Sequence, residues 1–306
     1  MSNERALSVR GFQKAYGDVV AVSGISFEVR RGEIFGLLGP NGAGKTTTLE
    51  CLEGIRRADA GELSILGVDP GRQPRRLRSL IGVQLQTSGL PANMTVREAM
   101  RFFSAYHGTD PRYDLLDRMG LQEKLSTQYE QLSTGQQRRL NLALAVAHRP
   151  PVTFLDEPTA GLDVGSRAEL HHLVQELRDE GSTIILATHD MAEAEKMTDR
   201  VAILLRGKIV ASGSPRELTA TGSGLTKVSV RTEHSLLHEA GAAIPAVQQR
   251  VVQEEYVIYF STDPGQTVAS ILARIDAESD KLIDLRVERP SLEERFLEIT
   301  NAGGAR

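Results

Sequence analysis

One cysteine, Cys51, stands among 306 residues, so no internal disulfide can form and the chain suits a reducing compartment. No stretch reaches the roughly 18 consecutive apolar residues of a membrane-spanning helix. The longest apolar runs, such as residues 201–205, are strand-sized. The first residues lack the apolar core of a signal peptide. Basic charge is not in excess either: the net charge is −4, which gives no global positive field for nucleic acid. Basic residues gather only locally, at Arg72, Arg75, Arg76 and Arg78, a run that reads first as solvated surface. Internal repeats and low-complexity tracts are missing as well. These absences leave a globular chain expected in the cytoplasm, with any membrane role exercised through a partner. At 40% hydrophobic and 25% charged residues its composition is ordinary, and its length allows one large domain or a large and a small one.

The first half alternates strand-like and helix-like segments. Residues 23–29 alternate toward one apolar face. Residues 33–38 form a short apolar run that stops at Gly39, and residues 45–52 read as a helix. Residues 152–155 and 183–187 are short, apolar and β-branched, the pattern of buried parallel strands joined by crossover helices. Helical patterns over 96–106, 114–119 and 135–147 predict an α-helical insertion at about 90–148. The small, flexible stretch at residues 219–224 marks a linker. Beyond it the order β-α-β-β-α-β, from residue 227 to 287, matches a small ferredoxin-like unit. Ser291 and Glu294 then have capping-box spacing for a last helix. The fold class expected is α/β over residues 1–221, with a small α+β domain over 222–306.

Gly39-Pro40-Asn41-Gly42-Ala43-Gly44-Lys45-Thr46, followed by Thr47, is a complete G-x-x-x-x-G-K-[ST] between an apolar strand and a helix. Glycines let backbone N–H groups curl around phosphate oxygens, and the helix N-terminus adds a favourable dipole. Lys45 would reach the terminal phosphates of ATP, and the Thr46 hydroxyl would bind Mg²⁺. The run at 152–155 ends in Asp156 and Glu157. Asp156 fits the metal shell, and Glu157, just past the strand, fits the group that polarises attacking water. Together these motifs define a P-loop ATPase.

Leu132-Ser133-Thr134-Gly135-Gln136 narrows the reading. It resembles the L-S-G-G-Q signature of ABC ATP-binding proteins, with Thr134 where that family usually has Gly. A β-branched residue there narrows the allowed backbone and puts the rate of hydrolysis in question. The resemblance covers roughly residues 7–218 and implies further roles. Ser133, Gly135 and Gln136 would cap the γ-phosphate held by an opposite subunit, and Asp163, in Ala160-Gly161-Leu162-Asp163, would belong to the loop crossing that interface. Gln86 is similar to the loop glutamine that contacts metal and water, with Gln84 a nearby competitor. His189 resembles the switch histidine on the γ-phosphate, and Tyr16 the aromatic that stacks on adenine. The segment from Arg289 to Thr300 is similar to the ending of ATPases that serve ABC-2-type exporters, including the daunorubicin-resistance type.

What this resemblance implies is an ATP- and Mg²⁺-dependent homodimer on the cytoplasmic face of the membrane, joined to a separate permease chain. Soluble ABC ATPases acting on ribosomes or DNA are the alternative. They carry two ATPase units, or a long coiled coil between motifs, and neither is present here. A small-molecule kinase would explain neither residues 132–136 nor His189.

Overall fold

A computed structural model of the chain describes residues 5–84, 89–220, 225–238 and 243–303. Two compact units divide it, Met1–Pro215 and Arg216–Arg306.

The strands of the first unit are β1 (Arg5–Tyr16), β2 (Val19–Arg30), β3 (Ile34–Leu38), β4 (Ala60–Ile65), β5 (Ile81–Gln84), β6 (Val152–Asp156), β7 (Thr183–Thr188), β8 (Arg200–Leu205) and β9 (Lys208–Gly213). Its helices are α1 (Lys45–Leu52), α2 (Pro74–Arg78), α3 (Val96–His107), α4 (Tyr113–Arg118), α5 (Thr134–Val146), α6 (Val164–Asp179) and α7 (Met191–Met197). A six-stranded sheet in the order β5-β6-β7-β3-β8-β9 forms the centre. It is parallel except for β9, which runs antiparallel at one edge. Every residue of β3, β6 and β7 is buried, which is why these segments read as continuous apolar runs rather than alternations.

Two cores cover this sheet. On one face Phe35, Leu37, Phe154 and Ile185 meet α1 and the residues of a second sheet. On the other, Leu155, Ile184 and Leu186 meet Leu140 and Leu144 of α5 and Leu170, Val174 and Leu177 of α6. The helices α3, α4 and α5 lie between β5 and β6 in the chain, at the expected insertion.

The second sheet, antiparallel in the order β2-β1-β4, was not anticipated beyond residues 23–29. Register shifts between Val9 and Phe12 and again beside Gln13 break the period-2 pattern that marks a strand in sequence. Its inward residues nonetheless pack well: Phe27 stacks on Phe35 with ring centroids 5.2 Å apart.

The boundary falls at the start of α8 (Pro215–Ala220), and the second unit goes on with β10 (Thr226–Thr232), β11 (Val247–Gln253), β12 (Tyr256–Ser261), α9 (Pro264–Ala277), β13 (Leu282–Glu288) and α10 (Leu292–Gly303). The sheet order β11-β12-β10-β13, antiparallel throughout, is the ferredoxin-like one. A 3₁₀ turn at Leu236–His238 lies where the short first helix was expected, and residues 239–242 lie outside the described residues. Val228, Val230, Val257 and Tyr259 pack against Ile271 and Ile275 of α9 as this unit's own core. Thr219 and Ala220, expected in the linker, are helical, because Pro215 and Glu217 open a helix that runs through them. The remaining linker residues, 221–224, lie outside the described residues. Ser291 and Glu294 form the reciprocal capping box at the start of α10.

Candidate functional site

Strand β3 leaves the core at Gly39, and the chain curls through residues 40–44 before α1 begins at Lys45. Two positions in this loop require glycine by close approach. A Cβ on Gly39 would come 2.2 Å from the Leu204 carbonyl oxygen, and one on Gly44, at φ 106°, would come 2.6 Å from that of Ala21. Neighbouring backbone therefore fills the outside of the loop, and the inside is left for a ligand. A groove of about 300 Å³ opens there, lined by Tyr16, Val19, Val20, Ala21, Asn41, Gly42, Gly44, Lys45, Thr46, Thr47 and Glu157. Of the expected loop residues, Gly39, Pro40 and Ala43 stay behind the lining; the backbone carbonyls of Gly39 and Pro40 hold Lys45, and Ala43 is buried in the core.

Lys45 is buried, and its Nζ donates to Gly39 O at 2.8 Å and to Pro40 O at 3.3 Å. Glu157 Oε1 lies 3.6 Å from the same ammonium. Burial lowers the Lys45 pKa, and the carboxylates of Glu157 and Asp156 oppose that shift. Thr46 Oγ1 donates to Asp156 Oδ2 at 3.1 Å across the end of β6. The other carboxylate oxygen, Asp156 Oδ1, is buried with no hydrogen-bond partner. Burial raises the Asp156 pKa, while the Thr46 hydrogen bond pulls it back. A hydroxyl and a carboxylate with one open oxygen form the hard oxygen set that suits Mg²⁺, so the residues present fit that ion.

Glu157 follows β6 with φ 48°, in the left-handed region that non-glycine residues seldom adopt. Its backbone N–H donates to Ala187 O at 2.9 Å, tying the ends of β6 and β7 together. Its carboxylate meets His189 Nδ1 at 2.8 Å. This pair, 32 residues apart in sequence, was not foreseen as a contact. Tyr16 closes the other end of the groove with a ring about 40% exposed. Lys14 Nζ and the Arg56 guanidinium lie 5.5 and 5.3 Å from its centroid. Val19 and Val20, exposed beside it, extend the apolar wall and were also missed; only their position after the Gly17-Asp18 turn hints at them.

Ser133, Gly135, Gln136 and Asp163 sit elsewhere and line none of this groove. Ser133 is the N-cap of α5: its Oγ accepts from Gln136 N at 3.2 Å, and Gln136 Oε1 accepts from Ser133 N at 3.0 Å. Asp163 is the N-cap of α6, accepting from Ser166 N at 3.0 Å and from Ser166 Oγ at 2.8 Å. The two caps meet through Ser166, whose Oγ would lie 2.7 Å from a Cβ at Gly135, so a larger residue there would have to displace the Ser166 side chain. Thr134 is the first residue of α5, exposed, with no positive φ. Glycine's backbone freedom is not needed at that position, and the constraint expected from its β-branch does not arise. Gln86 lies outside the described residues. Gln84 ends β5, pairs with Leu155 and is fully buried with both side-chain polar atoms unpartnered, so it does not reach the groove.

One further carboxyl belongs to this neighbourhood. Glu53, the C-cap of α1, is 7% exposed, and neither of its oxygens has a partner. Burial, then the charges of Asp156 and Glu50, raise its pKa from 4.5 to about 8.

Comparison with known proteins agrees with this geometry. A family model described as "ABC transporter" matches residues 22–160. The Nod factor export ATP-binding protein I of Rhizobium sp. (strain N33) is 36% identical over 302 residues, covering 96% of this chain and 97% of that protein. The daunorubicin resistance ATP-binding protein DrrA3 of Streptomyces coeruleorubidus is 33% identical over 304 residues, covering 97% of each. Among solved structures, one described as the ATP binding subunit of an ABC transporter superposes with a TM-score of 0.65 at 28% identity, over 70% of this chain and 91% of that one.

Proposed function

The chain belongs to the ABC transporter family as an ATP-binding, ATP-hydrolysing subunit, and from that premise we propose that two copies bind two ATP head to tail to drive an exporter whose membrane-spanning part is a separate chain. The observation that carries this reading is the division of the site. One copy supplies a phosphate-cradling groove, while Ser133, Gly135 and Gln136 lie off it at a helix start where Ser133 and Thr134 are exposed and Gly135 is buried. A second copy can bring that helix start to the γ-phosphate, where its N–H groups and dipole favour an anion. Export follows the relatives named for Nod factor export and daunorubicin resistance, which this chain matches over nearly their whole length. Among the described residues no helix is long and apolar enough to cross a membrane, in keeping with a separate permease.

In this reading the loop N–H groups and Lys45 hold the β- and γ-phosphates, and Tyr16 stacks on the adenine. Thr46 and Asp156 would hold Mg²⁺, which when bound neutralises charge on the phosphates. Glu157 accepts a proton from the attacking water, and His189, within reach of the same carboxylate, orients it and senses the γ-phosphate. The test is Glu157→Gln, which keeps the shape but cannot take a proton. It should bind ATP normally, hydrolyse it at least a hundred-fold more slowly, on the order expected for loss of a general base, and elute as a dimer in Mg·ATP. A strictly monomeric variant at high concentration would refute the shared site.

The unit after residue 221 carries no phosphate or metal motif, and we assign it to contacts with the second copy or the permease. Leu297, exposed on α10, and Phe296 beside it are candidates for that face. A chain truncated after Gly222 should still bind ATP but lose the polytopic protein that co-purifies with the full chain. Truncated protein that is folded yet blind to ATP would overturn this division.

A further inference from the structure

The arginines at 72, 75, 76 and 78 have no part in the reading above, and the structure gathers more around them. Beyond the end of α1 lies a cleft of about 440 Å³ whose lining includes Arg56, Arg57, Gly61, Asp69 and Arg72. Residues 55–78 contain six arginines against the carboxylates of Asp59, Glu62 and Asp69, a local positive surplus in a chain of net charge −4. Two of those carboxylates are already committed. Asp59 accepts from Lys14 Nζ at 2.7 Å and from Ala15 N at 2.7 Å. Asp69 accepts from the N–H groups of Gly71 and Arg72 and lies 3.4 Å from Arg72 Nε. Arg56 is paired with Glu50.

Four guanidiniums are left without a carboxylate among the described residues. Arg57 and Arg75 have no partner there at all, Arg76 reaches only Gln73 Oε1 at 3.5 Å, and Arg78 only the Tyr106 hydroxyl at 3.5 Å. Like charges gathered on an exposed face repel one another unless an anion meets them, and a guanidinium fork matches a phosphate in particular. Apolar and amphipathic groups adjoin these arginines in the chain or in contact. Ile55 is 56% exposed beside Arg56 and Arg57. Phe102 and Tyr106, one turn apart on α3, are equally exposed, and Tyr106 is the residue Arg78 touches. Arginine mixed with exposed aromatic and aliphatic side chains is the chemistry of a membrane interface, where the charged heads meet phosphates and the apolar parts enter the headgroup boundary.

We propose that this face, from the arginine-lined cleft across α2 to Phe102 and Tyr106, binds the phosphate headgroups of an anionic bilayer directly, without the permease. The shared chemistry is a phosphate group on arginine forks, and the lipid is its source. An acidic peptide of the permease would offer carboxylates to the same charges, and permease capture that is lost while vesicle binding is kept would assign the face to it.

Sedimentation of the full chain with vesicles tests this. It should pellet with phosphatidylcholine mixed with phosphatidylglycerol, not with phosphatidylcholine alone, and salt should release it, since exposed charges are screened within about 8 Å at physiological ionic strength. Each arginine near such a surface is worth roughly five-fold in affinity. The Arg57→Glu, Arg75→Glu, Arg76→Glu, Arg78→Glu variant should therefore lose binding by on the order of a hundred-fold or more. Its ATP turnover without vesicles should be unchanged, which shows that it folds; Arg75→Glu alone should give a smaller loss in the same direction. Glycerol 1-phosphate, titrated by calorimetry, separates the sources. Saturable binding of that soluble ester, abolished in the variant, with no pelleting on anionic vesicles would make the cleft a site for free phosphate and overturn the bilayer assignment. Pelleting that ignores lipid charge, or survives the four reversals, would overturn it too. So would a variant that still pellets but no longer captures the permease.

Discussion

The groove half of the site and the signature half are built on opposite principles. In the groove, polar groups are buried and left partly unfinished. Asp156 Oδ1 has no partner, and Lys45 is held by loop carbonyls in a position where burial disfavours its charge. Such groups cost free energy when unpartnered and are tolerated where a ligand completes them. At the signature, Ser133 and Asp163 are exposed and Gln136 is half-buried, and each satisfies a helix start through its own side chain. The groove is incomplete without a ligand. The helix start is complete in itself and becomes useful only when something is brought to it. The difference is the one that the proposed head-to-tail pairing of two copies requires.

The comparison breaks most severely at Lys45. Lys45→Ala removes the main fixed positive charge set against the terminal phosphates, and turnover should fall to background with nucleotide affinity lost. Turnover within a few-fold of the original in purified protein would mean that the groove is misassigned. Ser133→Ala should leave ATP binding intact and cut turnover by roughly a hundred-fold, the scale for losing one donor to developing charge. The sharper measurement mixes the two defective proteins. A Lys45→Ala chain still offers its signature, and a Ser133→Ala chain still offers its groove, so the mixture should recover part of the activity that neither variant has alone. No recovery would place both halves of each site within one chain.

The smallest effect on turnover is expected at Glu53. With a folded pKa of about 8 against an ordinary 4.5, this carboxyl keeps its proton in the folded chain while the unfolded chain has released it. The unfolded state then binds fewer protons, so stability falls as pH rises from about 4.5 to about 8 and levels off above. Glu53→Gln should remove that slope and raise stability at pH 8 by on the order of a few kcal/mol, with ATP turnover changed little. Melting curves across this range decide it. A variant whose slope matches the original would mean that Glu53 is already ionised in the folded protein.

How much of this was legible in sequence follows from how local each feature is. The phosphate loop is contiguous, and its glycines mark real close approaches at Gly39 and Gly44, so it could be read directly. Fully buried parallel strands left continuous apolar runs at β3, β6 and β7. The sheet of β1, β2 and β4 was largely hidden because its register shifts erase alternation. Contacts between distant segments left no local trace at all. The Glu157–His189 pair and the packing of Gly135 on Ser166 exist only because β6, β7, α5 and α6 bring their ends together. Glu53 reads in sequence as an ordinary charged position at a helix end, and only the fold buries it. The rival glutamines were separable only in part: Gln84 proved to be a strand residue, while Gln86 lies outside the described residues.

The contacts of Glu157 bear on timing. The Glu157 carboxylate faces the Lys45 ammonium on one side and the His189 ring on the other, the two groups proposed to meet the phosphates. A phosphate that draws them away also frees the carboxylate to meet water. If Glu157 is the base, its release and the arrival of its substrate are then one event, a logical AND gate written into three side chains.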